Sequence, residues 1–432
     1  MVKFRVGVFC LVAAGCCLGD LRGQGTSSAI TGNSVRPHIV MLADDKLEGR
    51  GGGYKGEKLA ADIIAAQFKR IGLKPAVGRS YFQEFRFHPY HPTRAWQVMN
   101  SRNVLGLLEG SDPVLKNEVI VLGAHYDGQG RVGQADPTRQ SPAAGSSADK
   151  IWNSANDNAT SVAAVIEIAR VLKNSTQRPK RSILFALFGA EEHGMTGSIY
   201  YVNHPGFPIS DHVAMINLEK LGSSPERPLT VAGVMSSKAW TELVDGARSA
   251  TSSRISTSPI AFPDSDHYPF GARGVPAIMI SVSSNLDAHL PSDHSDKIDF
   301  ERTAEAARYA LELVRGVADR PQRLGFVPSP MLDPGMIAHL VTPAEAEAAG
   351  LATPQGGLKV TGVISGLPAE KAGLQEGDLV TAIGTRSFAR EEPLSALMAG
   401  FQDLLQGKLG VTIPMKVHRN NKSLDMTLDL RR

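Results

Sequence analysis

The run ILFALFGAEEHG, Ile183–Gly194, constrains the fold more than any other stretch of the chain. Its first half is apolar without alternation, as in a strand covered on both faces, and such strands belong to parallel sheets packed between helices. It then passes through Gly189-Ala190 into two adjacent carboxylates, Glu191 and Glu192. Charges at the end of a buried strand are costly unless paired or bound to a metal. The sequence therefore predicts groups nearby that compensate these acids.

The surrounding chain has the matching rhythm. A helical pattern with Ala60, Ala61, Ile63, Ile64, Ala66 and Phe68 ends at Gly72 and Pro75. Strand-like runs follow at Asn103–Leu108 and Glu118–Gly123, then a Gly-, Ser- and Pro-rich loop over about 128–155. A helix in SVAAVIEIARVLK, the strand SILFALFG, a strand in MINLEKLG, a helix near 237–250, the strand VPAIMIS and the helix ERTAEAARYALELVRGVAD complete the series. Alternating strands and helices predict an α/β domain with a mostly parallel sheet, and ligands of such sheets gather outside the carboxyl ends of the strands.

A length of 432 residues calls for more than one domain. After Asp319 the chain turns proline-rich (PQRLGFVPSPMLDPG), which places a boundary near 318–324 and a small β-rich domain over 321–432. The net charge of +3 is close to neutral and gives no reason to expect nucleic acid or an acidic membrane as partner. Cys10, Cys16 and Cys17 all lie near the N-terminus, where Lys3 and Arg5 precede an apolar run from about Val6 to Leu18. This reads as a signal peptide over 1–19, hence an exported, periplasmic or secreted protein with its first domain over 20–320. Ala14-Gly15-Cys16 also reads as a weak lipobox, and a membrane enters the expectation only through lipidation of Cys16.

Partners for the two acids stand at the other strand ends. His125-Tyr126-Asp127 follows EVIVLG, Asn156-Asp157-Asn158 precedes a helix, Glu219 ends a strand, and His289 lies beyond VPAIMIS. Singly, each has an ordinary reading: a surface loop, an N-cap, a solvated pair. Together they put metal-type groups at one sheet edge, and imidazole with carboxylate, without thiolate, suits zinc. Two ions about 3.5–4 Å apart would fit. Asp157 would bridge them, His125 and Glu219 completing one site and Glu192 and His289 the other. Three ligand carboxylates and a hydroxide balance two dications, which leaves Glu191 free as general base. Asp127 is placed to orient the His125 imidazole.

These residues resemble the M28 family of zinc aminopeptidases. The resemblance rests on GAHYDG at 123–128, SANDNAT at 154–160, FGAEEHGMTGS at 188–198, NLEKLG at 217–222, SDHYPFGARGVPAI at 265–278 and DAHLPSDHSDKID at 287–299. DDKLEGRGGGYKGEKLAADIIAAQFKRIGLKPA is similar to the family's N-terminal opening. The resemblance implies a phosphorylase/hydrolase-like α/β/α sandwich, two Zn2+ per chain, and removal of N-terminal residues from peptides. It assigns the same ligand roles and places Ser265, Asp266 and His267 near the substrate side chain. The family usually has Asp where Glu219 stands, so the first ion could sit differently or more weakly. Two rival readings are a glutaminyl cyclase-like enzyme with one zinc, and a non-catalytic peptide-binding protein.

The C-terminal part resembles a PDZ domain of the bacterial periplasmic kind. Leu324-Gly325-Phe326 is similar to its carboxylate-binding loop, and Ser365–Gly384 to its central helix and strand. The resemblance implies capture of peptide C-termini or exposed segments as an added edge strand.

Overall fold

A computed structural model describes residues 29–89, 97–134, 149–223, 226–282, 287–329, 333–341, 343–353, 355–389 and 412–431. The N-terminal run read as a signal peptide, with its three cysteines, lies outside the described residues. In chain order the first domain contains α1 (Gly32–Leu42), α2 (Lys55–Ile71), β1 (Lys74–Pro75), β2 (Phe82–Phe87), β3 (Met99–Leu108), β4 (Val119–His125), β5 (Gly130–Arg131) and β6 (Ile151–Trp152). It continues with α3 (Thr160–Asn174), β7 (Ser182–Phe188), α4 (Thr196–Asn203), β8 (His212–Glu219), β9 (Leu229–Ala232), α5 (Ala239–Gly246), β10 (Ile255–Ser258), α6 (His267–Ala272), β11 (Ala277–Val282) and α7 (Phe300–Asp319).

Among the described residues, the main sheet runs β1-β3-β7-β4-β8-β11-β9-β10, with β2 also paired to β3. Its centre, β7-β4-β8-β11, is parallel, while β3 joins β7 and β9 joins β11 in antiparallel fashion. The unalternating strands are explained by two apolar layers. On β7, Ile183, Phe185 and Leu187 enter the core packed against α1, α2, α3, α5 and α7. Leu184, Ala186 and Phe188 point the other way, into a smaller core with Ile199 and Tyr201 of α4 and Phe270 of α6. Each of these Ile, Leu and Phe side chains, fully buried, stabilises the fold by about 1.5–3 kcal/mol. Gly72 closes α2 in a left-handed conformation, and Asp299 caps α7 by accepting from the Arg302 N–H.

The second domain comprises β12 (Met336–Leu340), α8 (Pro343–Ala348), β13 (Leu358–Val363), α9 (Pro368–Lys371), β14 (Leu379–Ile383), β15 (Arg386–Ser387), β16 (Thr412–Arg419) and β17 (Lys422–Asp429). Its sheet is antiparallel, in the order β12-β13-β14-β16-β17 with β15 beside β14. The two domains share apolar surface: Ile364, fully buried, sits in the core formed by α4 and α6, with Ile337 and Leu367 packed against it. Asn203 fixes the contact by donating to the Val363 carbonyl and accepting from the Ser365 N–H, both at 2.9 Å.

Candidate metal centre

The register of the parallel strands brings the predicted residues level. His125 ends β4 opposite Phe188 of β7, and Glu219 ends β8 opposite Ser281 of β11. Glu191 and Glu192 lie just past the end of β7, His289 past β11, and Asp157 in the turn leading into α3. Two clusters result, His125/Asp157/Glu219 and Asp157/Glu192/His289, with the candidate ligand atoms of each within 4.8 Å of one another. His125 Nε2 is 3.3 Å from Glu219 Oε1 and 3.2 Å from Asp157 Oδ1. His289 Nε2 is 3.3 Å from both Asp157 Oδ2 and Glu192 Oε2. Neither oxygen of the buried Asp157 carboxylate accepts a well-directed hydrogen bond. A buried carboxylate in that state, with one imidazole at each oxygen, fits a pair of cations bridged by Asp157.

Charge in the cluster is strongly perturbed. Burial alone would lower the His125 pKa, but Glu219 and Glu191 outweigh it and hold the imidazole well above its usual range. Burial alone would raise Asp157, yet Lys220, His125 and His289 keep it well below the usual carboxylate range. Glu191 is raised well above that range by burial, with Glu192, Asp266 and Glu219 adding to the shift against His125. A buried carboxylate with a raised pKa, outside both ligand clusters, is suited to taking up and returning a proton. Its Oε2 lies 3.8 Å from His125 Nε2.

Asp127 has a broader part than orienting an imidazole. His125 Nδ1 is 3.3 Å from the Asp127 carbonyl oxygen and 3.6 Å from its carboxylate. That carboxylate accepts from the backbone N–H groups of Glu191 at 3.0 Å and Glu192 at 3.2 Å. Asp127 thus fixes the acidic turn as well as the histidine. The residue before that turn, Ala190, has a left-handed backbone at φ 53°, and its N–H donates to Glu57 Oε1 at 3.1 Å. Gly189 is required at this point, because a Cβ there would lie 2.4 Å from Ser101 Oγ and 2.7 Å from Glu57 Oε1.

Ser265, Asp266 and His267 lie beside the cluster but are almost wholly buried, at 2%, 0% and 3% exposure. Ser265 Oγ donates to Glu219 Oε2 at 2.8 Å, joined there by Asn158 Nδ2 at 3.2 Å. These two donors hold the longer glutamate in place of the family's usual aspartate and leave Oε1 facing His125. Burial pushes the Asp266 carboxyl up to about 7 and the His267 imidazole down to about 4. His267 Nε2 contacts the Phe262 carbonyl at 2.8 Å.

Several supporting residues were not singled out from the sequence. Asp293 accepts from the N–H groups of Asn156 and Asp157, and its carbonyl from Ala155, so it grips the turn that carries the bridging ligand. Its place in the DAHLPSD motif was the available signal. Arg50 is fully buried and donates to the carbonyls of Leu42, Tyr126, Asn153 and Ser154. Glu57, pushed up to about 8 by burial and the nearby Asp127 charge, also accepts from Gly53 N–H and Ser101 Oγ, both at 2.6 Å.

The Leu324-Gly325-Phe326 run lies against the first domain. Leu324 is buried in its large core, and the Val327 N–H donates to the Ser236 carbonyl at 2.8 Å. Phe326 lines a cleft of about 990 Å³ between the domains, with Tyr268, Arg273, Met336 and Leu367 also on its walls. None of the five candidate ligands lines that cleft.

Fold and centre together define an α/β protein with two clusters of candidate metal ligands, sharing Asp157, at the carboxyl ends of its central strands. The profile of Peptidase family M28 matches residues 103–314, and a PDZ domain profile matches residues 359–419. The chain therefore joins a peptidase family M28 domain to a PDZ domain. Aminopeptidase YwaD of Bacillus subtilis is 26% identical over 230 residues, 49% of this chain and 44% of that protein. Aminopeptidase NAALADL1 of Rattus norvegicus is 34% identical over 107 residues, 24% of this chain and 11% of its own length. The chain thus spans less than half the length of these two relatives. Among solved structures, an aminopeptidase from Aneurinibacillus sp. strain AM-1 aligns at a TM-score of 0.54 with 18% identity, over 70% of this chain and 98% of its own. A Zn-dependent exopeptidase from Parabacteroides distasonis aligns at 0.51 with 20% identity, over 67% and 99%. Both likenesses concern the fold.

Proposed function

We propose that this protein is a zinc-dependent exopeptidase that removes N-terminal residues from peptides. The observation that carries the reading is a pair of clusters sharing Asp157, with an unliganded, raised-pKa Glu191 beside them. The M28 match and the relatives named aminopeptidases support it. His125, Asp157 and Glu219 would hold one zinc ion, and Asp157, Glu192 and His289 the other. Bound there, the pair would supply Lewis acidity and an acidified water. Glu191 takes the proton of the attacking water and returns it to the leaving amine. Asp127 and Glu57 hold the turn that aims Glu191, and Ser265 and Asn158 keep Glu219 facing His125. The PDZ domain would capture peptide segments, and the N-terminal sequence, basic and then apolar, supports export.

Purified protein should contain close to two zinc ions per chain and shorten peptides from the N-terminus, as read by mass spectrometry of a peptide library. Glu191→Gln should lower kcat by at least about 1,000-fold, the scale of losing a positioned proton carrier, while zinc content is unchanged. Full activity in that variant refutes the role of Glu191. Cyclisation of N-terminal glutamine, or trimming from the carboxyl end, refutes the proposed reaction.

A further inference from the structure

Lys220 follows the candidate ligand Glu219 directly, and its backbone is left-handed at φ 51°. Its N–H donates to Asn158 Oδ1 at 3.1 Å, which ties the turn to the Asp157 segment. The side chain folds back over the cluster, so that Nζ lies 2.7 Å from Glu219 Oε1 and 3.8 Å from Asp157 Oδ2. It remains about one-third exposed. The ammonium therefore contacts Glu219 of the His125 cluster closely and stands farther from Asp157 Oδ2, the oxygen that also faces His289.

The oxygen it occupies matters. Glu219 Oε2 is already committed to Ser265 Oγ and Asn158 Nδ2. Oε1 is the oxygen left for a cation, 3.3 Å from His125 Nε2, and it is the one that accepts from Lys220. A dication entering the His125/Asp157/Glu219 cluster must take that oxygen from the ammonium and then sit close to its positive charge. The Asp157/Glu192/His289 cluster meets the ammonium less closely, at Asp157 Oδ2, 3.8 Å from Nζ, and its other carboxylate, Glu192, faces His289 Nε2 at 3.3 Å. Like charges at such separations in a partly buried site repel strongly.

We infer that Lys220 is a built-in counter-ion that competes with the cation of the His125/Asp157/Glu219 cluster and makes it the weaker of the two sites. The protein then loads in order, first at Asp157/Glu192/His289 and then at the His125 cluster. This rests on the two-zinc reading above and adds a residue that sets the difference between the sites.

The test is zinc binding to the full chain, measured by competition with a chromophoric chelator, and it needs no substrate. Wild type should show two dissociation constants. Lys220→Met should tighten the weaker at least tenfold and leave the tighter within twofold, whereas Lys220→Arg, which keeps the charge, should stay close to wild type. The His289→Ala background, which spoils the second cluster, should preserve the effect of Lys220→Met, and the His125→Ala background should abolish it. Unchanged or weakened zinc binding in Lys220→Met overturns the proposal, even where wild type binds two ions. A wild-type chain that binds no zinc overturns the two-zinc reading itself, and Lys220's part with it.

Discussion

Two carboxylates adjacent in sequence face different partners because one aspartate holds the turn that carries them. Asp127 accepts from the N–H groups of both Glu191 and Glu192, which leaves Glu192 directed toward Asp157 and His289 and Glu191 toward His125. Removing Asp127 leaves two buried donors unpaired, at about 1–3 kcal/mol each. Asp127→Ala should therefore destabilise the protein by about 2–6 kcal/mol in urea unfolding, lower kcat at least about 100-fold, and weaken the zinc site that uses Glu192. Asp127→Asn, whose amide oxygen can still accept one of the two bonds, should fall between wild type and alanine. Equal loss in both variants would mean that the carboxylate's charge matters more than its hydrogen bonds. This residue shows how far the sequence could be read. The spacing His125-x-Asp127 pointed to the imidazole, but bonds to backbone N–H groups 64 and 65 residues away leave no mark in a sequence.

The ends of elements, more than the elements themselves, decide the site. Apolar runs and helical periodicity anticipated β4, β7, β8, β11, α3 and α7, because two-sided burial writes itself into consecutive residues. The convergence of five strand-end segments followed from the same pattern. The clamp that holds those ends together did not. Arg50 spends its guanidinium on four main-chain carbonyls, joining the end of α1 to the loop after β4 and to the segment just before the Asp157 turn. Carbonyl partners carry no residue identity, so LEGRGGGYKGE was legible only as part of the family-like N-terminal opening. Arg50→Met should cost more than about 3 kcal/mol, since several buried acceptors lose their donor at once. Arg50→Lys should recover little, because a single ammonium cannot span the fork. Chemical denaturation with a zinc measurement on the folded fraction checks this. A loss below about 1 kcal/mol would show that water replaces the guanidinium.

At the scale of the whole molecule, the boundary read from proline content near 318–324 fell within a stretch that the first domain keeps. Leu324 belongs to that domain's large core, and the second face of its sheet is closed in part by Ile364, Ile337 and Leu367 from across the boundary. A composition shift marks where a linker's chemistry begins, and it is blind to which domain the following side chains pack on. The contact also reaches the acidic turn. A Cβ on Gly194, two residues after Glu192, would lie 2.9 Å from Thr361 Oγ1 and 3.1 Å from Ile337 Cγ2. From there α4 carries the interface on to Asn203. Apolar burial of this kind couples domains that otherwise move and unfold independently. Ile364→Asp puts a charge into the shared core, where it is costly to bury, so the cheapest response is separation of the domains. The variant should unfold in two calorimetric steps where wild type shows one. It should also lose several-fold in kcat with zinc content intact, because Gly194 and α4 lose their backing while the ligands keep theirs. Leu374→Asp, placed in the second domain's own core, should unfold that domain alone and expose the same face of α4, so its kcat should match that of Ile364→Asp. A wild-type kcat in both would confine the interface to stability and uncouple the PDZ domain from the acidic turn.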